Sequence, residues 1–291
     1  MKNADAFSSF HPVLLCLYYV LILVFSMFLT HPLCLAVSLL GAFFYAASLR
    51  GGRALVRSLG GCLAVALLAA GVNVLFQHEG ATILTYFSSG NPLTLESIAY
   101  GLSSGLLLTA VLLWFGTYQR VMSSDKFVYL FGRVIPALSL ALSMTLRFVP
   151  RFQAQLRAVQ QARAFSGGQK KSGPMQKIRT FVENFSILVT WSLENAVETA
   201  DSMRARGYGL PGRTSFSIFR FDPRDWWMLL WLLGCGGVVG FGWAAGAFFW
   251  RYYPTVRGSF GLATWICAAA ELLLALTPWI VDRWEARRWN S

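Results

Sequence analysis

Four short constellations in the sequence carry residue types that do chemistry. The first is Ser166-Gly167-Gly168-Gln169, which reads like the signature loop of an ABC-type ATPase. ATP hydrolysis also needs the pattern G-x-x-x-x-G-K-[ST]. Its backbone N–H groups cradle the phosphates, and its Lys and Ser/Thr hold phosphate and magnesium. The dipeptide Gly-Lys occurs nowhere in the chain. The loop also runs on into Lys170-Lys171-Ser172-Gly173-Pro174, which has the composition of a connector and not of a helix start. The segment is therefore read as a basic linker. The second and third constellations are Ala162-Arg163-Ala164 and Ala205-Arg206-Gly207, an arginine between small residues repeated 43 positions apart. A guanidinium offers a planar fork that matches a carboxylate, and small neighbours let a partner surface approach. The simpler alternative is an arginine that complements the dipole at a helix C-terminus. Two copies, each closing an amphipathic segment, favour a partner site. The fourth is Glu271, the only acid deep inside an apolar run. An intramembrane carboxyl is a functional candidate by default, set against a carboxyl packed between helices.

The remaining candidates are weaker. Cys16, Cys34, Cys62, Cys235 and Cys267 all fall in apolar runs without a C-x-x-C pair, and free buried cysteine behaves as a small hydrophobe. His11, His31 and His78 lie near the ends of apolar runs without metal-ligand spacing. Neither a metal site nor a cofactor is expected. Intramembrane protease chemistry would need paired His or Glu on one helix, and the sequence has none.

The elements that must position these residues follow from composition. The chain is 56% hydrophobic and 13% charged, with a mean hydropathy of +0.52. An average soluble domain carries about 25% charged residues. Six apolar runs, at about 12–30, 33–49, 60–77, 98–118, 226–250 and 259–281, are read as membrane-spanning helices. The first is not expected to be a removable signal, since it lacks a small-residue cleavage site and a second apolar run follows at once. With the N-terminus inside and six alternating spans, 23 of the 25 Lys and Arg residues lie inside, and only Arg251 and Arg257 lie outside. The positive-inside rule then places both termini in the cytosol. The net charge of +12 is read as topology and anionic lipid contact, not nucleic acid binding.

The long inside segment, residues 119–225, carries 16 basic and 7 acidic residues, yet it is far from a solvated tail. Residues 134–149 are strongly apolar between Pro136 and Pro150, too short to cross a bilayer but suited to an interfacial helix, with Ser139, Ser143 and Arg147 on one face. Residues 152–165 predict a separate amphipathic helix on Phe152, Leu156 and Val159. Residues 175–206 predict a second one. Its stripe runs from Ile178 through Phe181, Phe185, Val189 and Leu193 to Met203, opposite Glu183, Glu194, Glu198 and Asp201. Gly207, Gly209 and Pro211 should stop it. Arg179, far from either helix end, is expected to be bland.

These pieces resemble, in order, the transmembrane T component of energy-coupling factor (ECF) transporters, the EcfT/CbiQ-like family. The carriers are Ser123-Ser124-Asp125-Lys126, Val134-Ile135-Pro136-Ala137-Leu138, Leu146-Arg147-Phe148-Val149-Pro150, Ala162-Arg163-Ala164 and Met203-Arg204-Ala205-Arg206-Gly207-Tyr208. The resemblance implies an all-α, polytopic, non-catalytic scaffold in a prokaryotic cell membrane. It would have about six transmembrane helices plus long cytosolic coupling helices. The implied partners are two ABC ATPase subunits, docked on Ala162, Arg163, Ala164 and on Ala205, Arg206, Gly207, and a membrane S component that binds a vitamin or metal ion. Two departures stand out. Ala164 replaces the usual glycine of the first motif. The family's early Asp-Pro motif finds only His31-Pro32-Leu33-Cys34. The expected organisation is 1–118 transmembrane, 119–225 coupling region and 226–291 transmembrane. Two rivals are an enzyme built on Glu271, which lacks a second catalytic group, and a secondary transporter, which would want internal repeats.

Overall fold

The computed structural model describes residues 6–50, 52–86, 92–132, 135–165, 173–211, 219–258 and 260–290. It divides into two compact units, residues 1–123 with 219–291, and residues 124–218. The Ser166-Gly167-Gly168-Gln169 loop and Val134 lie outside the described residues.

The first unit contains α1 (Pro12–Phe28), α2 (Pro32–Arg50), α3 (Gly52–Phe76), α4 (Leu95–Val121), α8 (Pro223–Ala244) and α9 (Leu262–Asn290). Five of them are long and apolar enough to cross a membrane, and α1 is a shorter apolar helix of 17 residues. At 1.5 Å per residue, α1 is about 25 Å long, near the lower limit for a bilayer core. Its position is central: Leu14, Leu15, Tyr18, Tyr19 and Ile22 are all buried, and Tyr18 meets Trp114 of α4 edge-on at 6.1 Å. The Trp114 indole N–H donates to Ser38 Oγ of α2 at 3.1 Å.

Small residues set the closest helix approach. A Cβ on Gly105 of α4 would sit 2.7 Å from the Ala66 carbonyl oxygen of α3, and one on Gly101 would sit 3.0 Å from that of Ala70. A Gly-x-x-x-Gly face against an Ala-x-x-x-Ala face brings two backbones together in a way larger side chains forbid. Apart from that seam, α3 is largely exposed, with Leu67 at 63% and Leu68 at 69%.

The helix ends alternate between two faces of this unit. One face gathers Thr30 and two antiparallel hairpins, β1 (Ile83–Tyr86) with β2 (Pro92–Thr94), and β3 (Trp250–Arg251) with β4 (Arg257–Gly258). Ala81 N donates to Pro254 O at 3.0 Å, and the Tyr252 hydroxyl donates to Thr30 O at 3.1 Å. The other face gathers the 3-10 turn Phe7–Ser9 and the ends of α8 and α9. Phe7 N donates to the Asp282 carboxylate at 3.1 Å, and Arg224 donates to Ser9 O at 3.2 Å. The N-terminal turn and the end of α9 therefore share one face. Five of the six apolar runs read from sequence coincide with helices long and apolar enough to cross a membrane, and the run at 12–30 with the shorter α1.

The second unit contains α5 (Ser124–Gly132), α6 (Pro136–Phe165) and α7 (Pro174–Ala205). Here the structure differs from the sequence reading. The two segments split at Pro150 form one helix of 30 residues with Pro150 inside it. Proline removes one N–H and leaves the carbonyl four residues back without its usual donor. Both Leu146 and Pro150 are exposed, so solvent can serve that carbonyl. Phe152 of α6 meets Trp191 of α7 edge-on at 5.6 Å, and Arg163 reaches back to Glu183. A rising position on α6 pairs with a falling one on α7, so the two helices run antiparallel.

Candidate functional site

The two arginine motifs close α6 and α7 in different ways. Gly207 has φ +81°, the left-handed region that a side chain disfavours. Tyr208 N donates to Met203 O at 3.0 Å and Gly207 N to Arg204 O at 3.0 Å. This is a Schellman cap, with Arg206 as the C-cap and glycine at the following position. Arg206 and Ala205 are exposed at that end. Arg163 instead lies inside the last turn of α6, followed by two more helical residues, Ala164 and Phe165. Ala164 is helical, so its backbone has no need of glycine. The departure from the family pattern at this position therefore has a backbone reason.

Arg163 is not a free side chain. Its Nη2 donates to Glu183 Oε2 of α7 in a short ion pair, and Arg179 Nε donates to Glu183 Oε1 at 3.0 Å. The Arg163 and Arg179 guanidiniums together hold the Glu183 carboxyl below the ordinary glutamate value. Arg179 shares this carboxylate with a motif arginine. The Arg179–Glu183 spacing of four was legible on a helix face. The cross-helix partner was not, because nothing in the local pattern records which turn of α7 meets the end of α6.

The structure does not bring Arg163 and Arg206 together. Glu183, which holds Arg163, precedes Arg206 by 23 residues along α7. At 1.5 Å per residue that separates the two ends by roughly 35 Å. Between them the stripe of α7 is open: Phe185 is 58% exposed and Leu193 64%. Asn184 is the one buried residue of α7 among those described. Ser143 and Arg147 of α6 are exposed as expected, and the Ser139 side chain lies outside the described residues.

Two of the histidines take structural roles. His11 and His31 each precede a proline at the start of a helix, and each Nδ1 accepts from the backbone N–H two residues on, Val13 and Leu33, at 3.3 Å. Both act as N-caps. Burial pushes the His11 imidazole down, against the raising effect of Asp225 nearby. Asp225 itself completes a capping box with Asp222 at the start of α8. Glu271 of α9 is fully buried across from Cys34 of α2, and neither of its oxygens makes a hydrogen bond of good geometry. Among the described residues, no three His, Cys, Asp or Glu side chains are grouped to hold a metal.

A family model described as "Cobalt transport protein" (CbiQ) matches residues 10–216. The chain belongs to this family. The match runs from α1 through the whole α5–α7 unit and stops short of α8 and α9. This CbiQ-family chain is also 34% identical, over 94 residues, to a protein of Lacticaseibacillus paracasei named "Energy-coupling factor transporter transmembrane protein EcfT". That stretch covers 32% of this chain and 36% of the relative, so the chain spans about a third of the relative's length. With five long apolar helices, this member of the CbiQ family is a multi-pass membrane protein of transport.

Proposed function

We propose that the chain is the transmembrane T component of an ECF-type importer. It couples ATP hydrolysis on two cytosolic ABC ATPase subunits to uptake through a separate S component of the vitamin or metal ion class. It has no catalytic site of its own. The face bearing Phe7, Asp282 and the link to the α5–α7 unit is the cytosolic one, because 23 of 25 basic residues fall on that side of six alternating passes.

The observation that carries this reading is the pair of arginine-bearing helix ends roughly 35 Å apart along α7. Two separated points suit two ATPase subunits better than one composite site. Arg206 projects from an exposed, capped end beside Ala205 and Gly207. Arg163 stands between Ala162 and Ala164 at the other end. Nucleotide-driven closure of the two ATPases would act on both ends and pass the motion along α6 and α7.

Copurification tests it. If each arginine meets a carboxylate in a desolvated groove, removing one partner costs about 3–5 kcal/mol, or roughly two to three orders of magnitude in affinity. An exposed pair would be worth about 0–1 kcal/mol. The double variant Arg163→Glu, Arg206→Glu should stay in the membrane, lose its ATPases on purification and lose uptake. Arg157→Glu, exposed in the middle of α6, is the control and should be mild. A double variant that keeps both its ATPases and its uptake would sink the proposal.

A further inference from the structure

We propose that Glu183 is the positioning residue for Arg163. The docking unit at this end is then the Arg163–Glu183–Arg179 cluster and not the tripeptide Ala162-Arg163-Ala164 alone. The inference rests on the reading of Arg163 as an ATPase contact.

Three observations lead to it. First, Arg163 and Glu183 are 20 residues apart in sequence and sit on different helices, so their bond ties the last turn of α6 to the side of α7. A long arginine at an exposed helix end samples many rotamers and loses that freedom when it docks. One held in advance by Glu183 loses less. Second, the ion pair engages Nη2 alone, and the Arg163 side chain keeps 32% of its exposure. The rest of its donor fork is not consumed by Glu183 and can meet a second carboxylate. Third, Arg179 supplies the charge balance. Two guanidiniums around one carboxylate leave the cluster with a net single positive charge. Arg163 with Glu183 alone would be neutral and would offer little attraction to an acidic groove. The partner that fits is a groove lined by at least one carboxylate, wide enough for the small side chains of Ala162 and Ala164.

The alternative is that Glu183 only braces α6 against α7. The two roles separate in a double-mutant cycle. The probe is the pair of ATPase subunits that copurify with the native chain, titrated onto the full chain in lipid nanodiscs. Holding one long side chain in advance is worth about 2- to 10-fold in affinity. Glu183→Ala should therefore weaken ATPase binding by about that factor, and Glu183→Gln, which still accepts a hydrogen bond, by less. In an Arg163→Ala background, Glu183→Ala should change nothing further. Arg179→Gln should slow association and flatten its salt dependence, because it removes the excess charge. An equal loss from Glu183→Ala with and without Arg163, or a loss of binding matched by a fall in the melting temperature of the unbound chain, would make Glu183 a brace and overturn the inference. So would unchanged binding in both Glu183 variants while Arg163→Ala weakens it strongly. If Arg163→Ala itself leaves binding intact, the docking role of that end fails, and this inference falls with it. Should Glu183→Ala misfold, the Glu183→Gln cycle against Arg163→Ala gives the same decision.

Discussion

The six apolar helices and the α5–α7 unit solve opposite problems with the same kind of residue. The first unit has a sealed interior, with Trp114, Tyr18, Tyr45 and Leu232 fully buried, while others such as Trp227 and Phe241 face outward. In the second, large apolar side chains stand in the open, Phe165 at 92%, Met175 at 78% and Phe181 at 69%. The first arrangement is complete as a bundle, with lipid as its outer solvent. The second leaves a continuous apolar stripe on a helix that is charged on its other face. Contiguous exposed apolar surface beside charge marks a surface that something else covers. On the proposed function, the helical unit is where the ATPase partners would dock.

The largest expected effect tests that contrast directly. Trp114→Ala removes a fully buried indole and leaves Ser38 Oγ without its donor, so it should cost about 3–5 kcal/mol. Thermal unfolding in detergent should fall steeply. Phe181→Ala, on the open stripe, should stay within about 0.5 kcal/mol. A comparable loss at both positions would mean that the stripe is packed in the chain by itself, and the contrast would break.

A smaller effect sharpens the asymmetry between the two arginine ends. Gly207→Ala forces a side chain into the left-handed region, at roughly 1–2 kcal/mol. The strain is confined to the last turn of α7. Hydrogen exchange should quicken at the Gly207 and Tyr208 amides, whose bonds to Arg204 and Met203 form the cap. Ala164→Gly, at a helical position, should cost no more than about 1 kcal/mol and create no strain. If Gly207→Ala leaves those amides protected, the cap is not what requires glycine there.

Much of this was legible in the sequence, and the limits have physical causes. The spans were readable because hydrocarbon imposes a length and a composition on each helix independently of its neighbours. Charge asymmetry gave the expected orientation, and Phe7 beside Asp282 puts the N-terminal turn and the end of α9 on one face. Pro150 misled because a proline predicts a stop from local sterics, while an exposed helix surface tolerates the missing bond. The sequence gives the histidines no metal-ligand spacing. Their N-cap role was present in His11-Pro12 and His31-Pro32, where proline marks the first helical turn. Arg163 was legible as a candidate by its small neighbours and helix-end position. Its partner Glu183 was placed only on the polar face of α7, since a cross-helix ion pair depends on how two helices are set against each other.

The smallest expected effect concerns that ion pair. Arg163, then Arg179, hold the Glu183 carboxyl below the ordinary glutamate value. A carboxyl lowered in the folded state favours the paired form at every pH above its unfolded value. That contribution is lost as pH falls through the lower folded value. The link between α6 and α7 should therefore be constant from pH 8 to pH 5 and should loosen only below the usual carboxylate range, about pH 4.3. Because Glu183 keeps 42% of its side-chain exposure, water and salt screen the pair, and the loosening should be local. Spin labels carried by non-natural amino acids at Gln160 and Ser186 would report it as a broader distance distribution at low pH. Glu183→Gln should show that breadth at all pH values, and high salt should shift the native chain part of the way towards it. A distribution that broadens instead between pH 6 and 7 would point to a histidine-linked change in the chain and remove Glu183 as the tie.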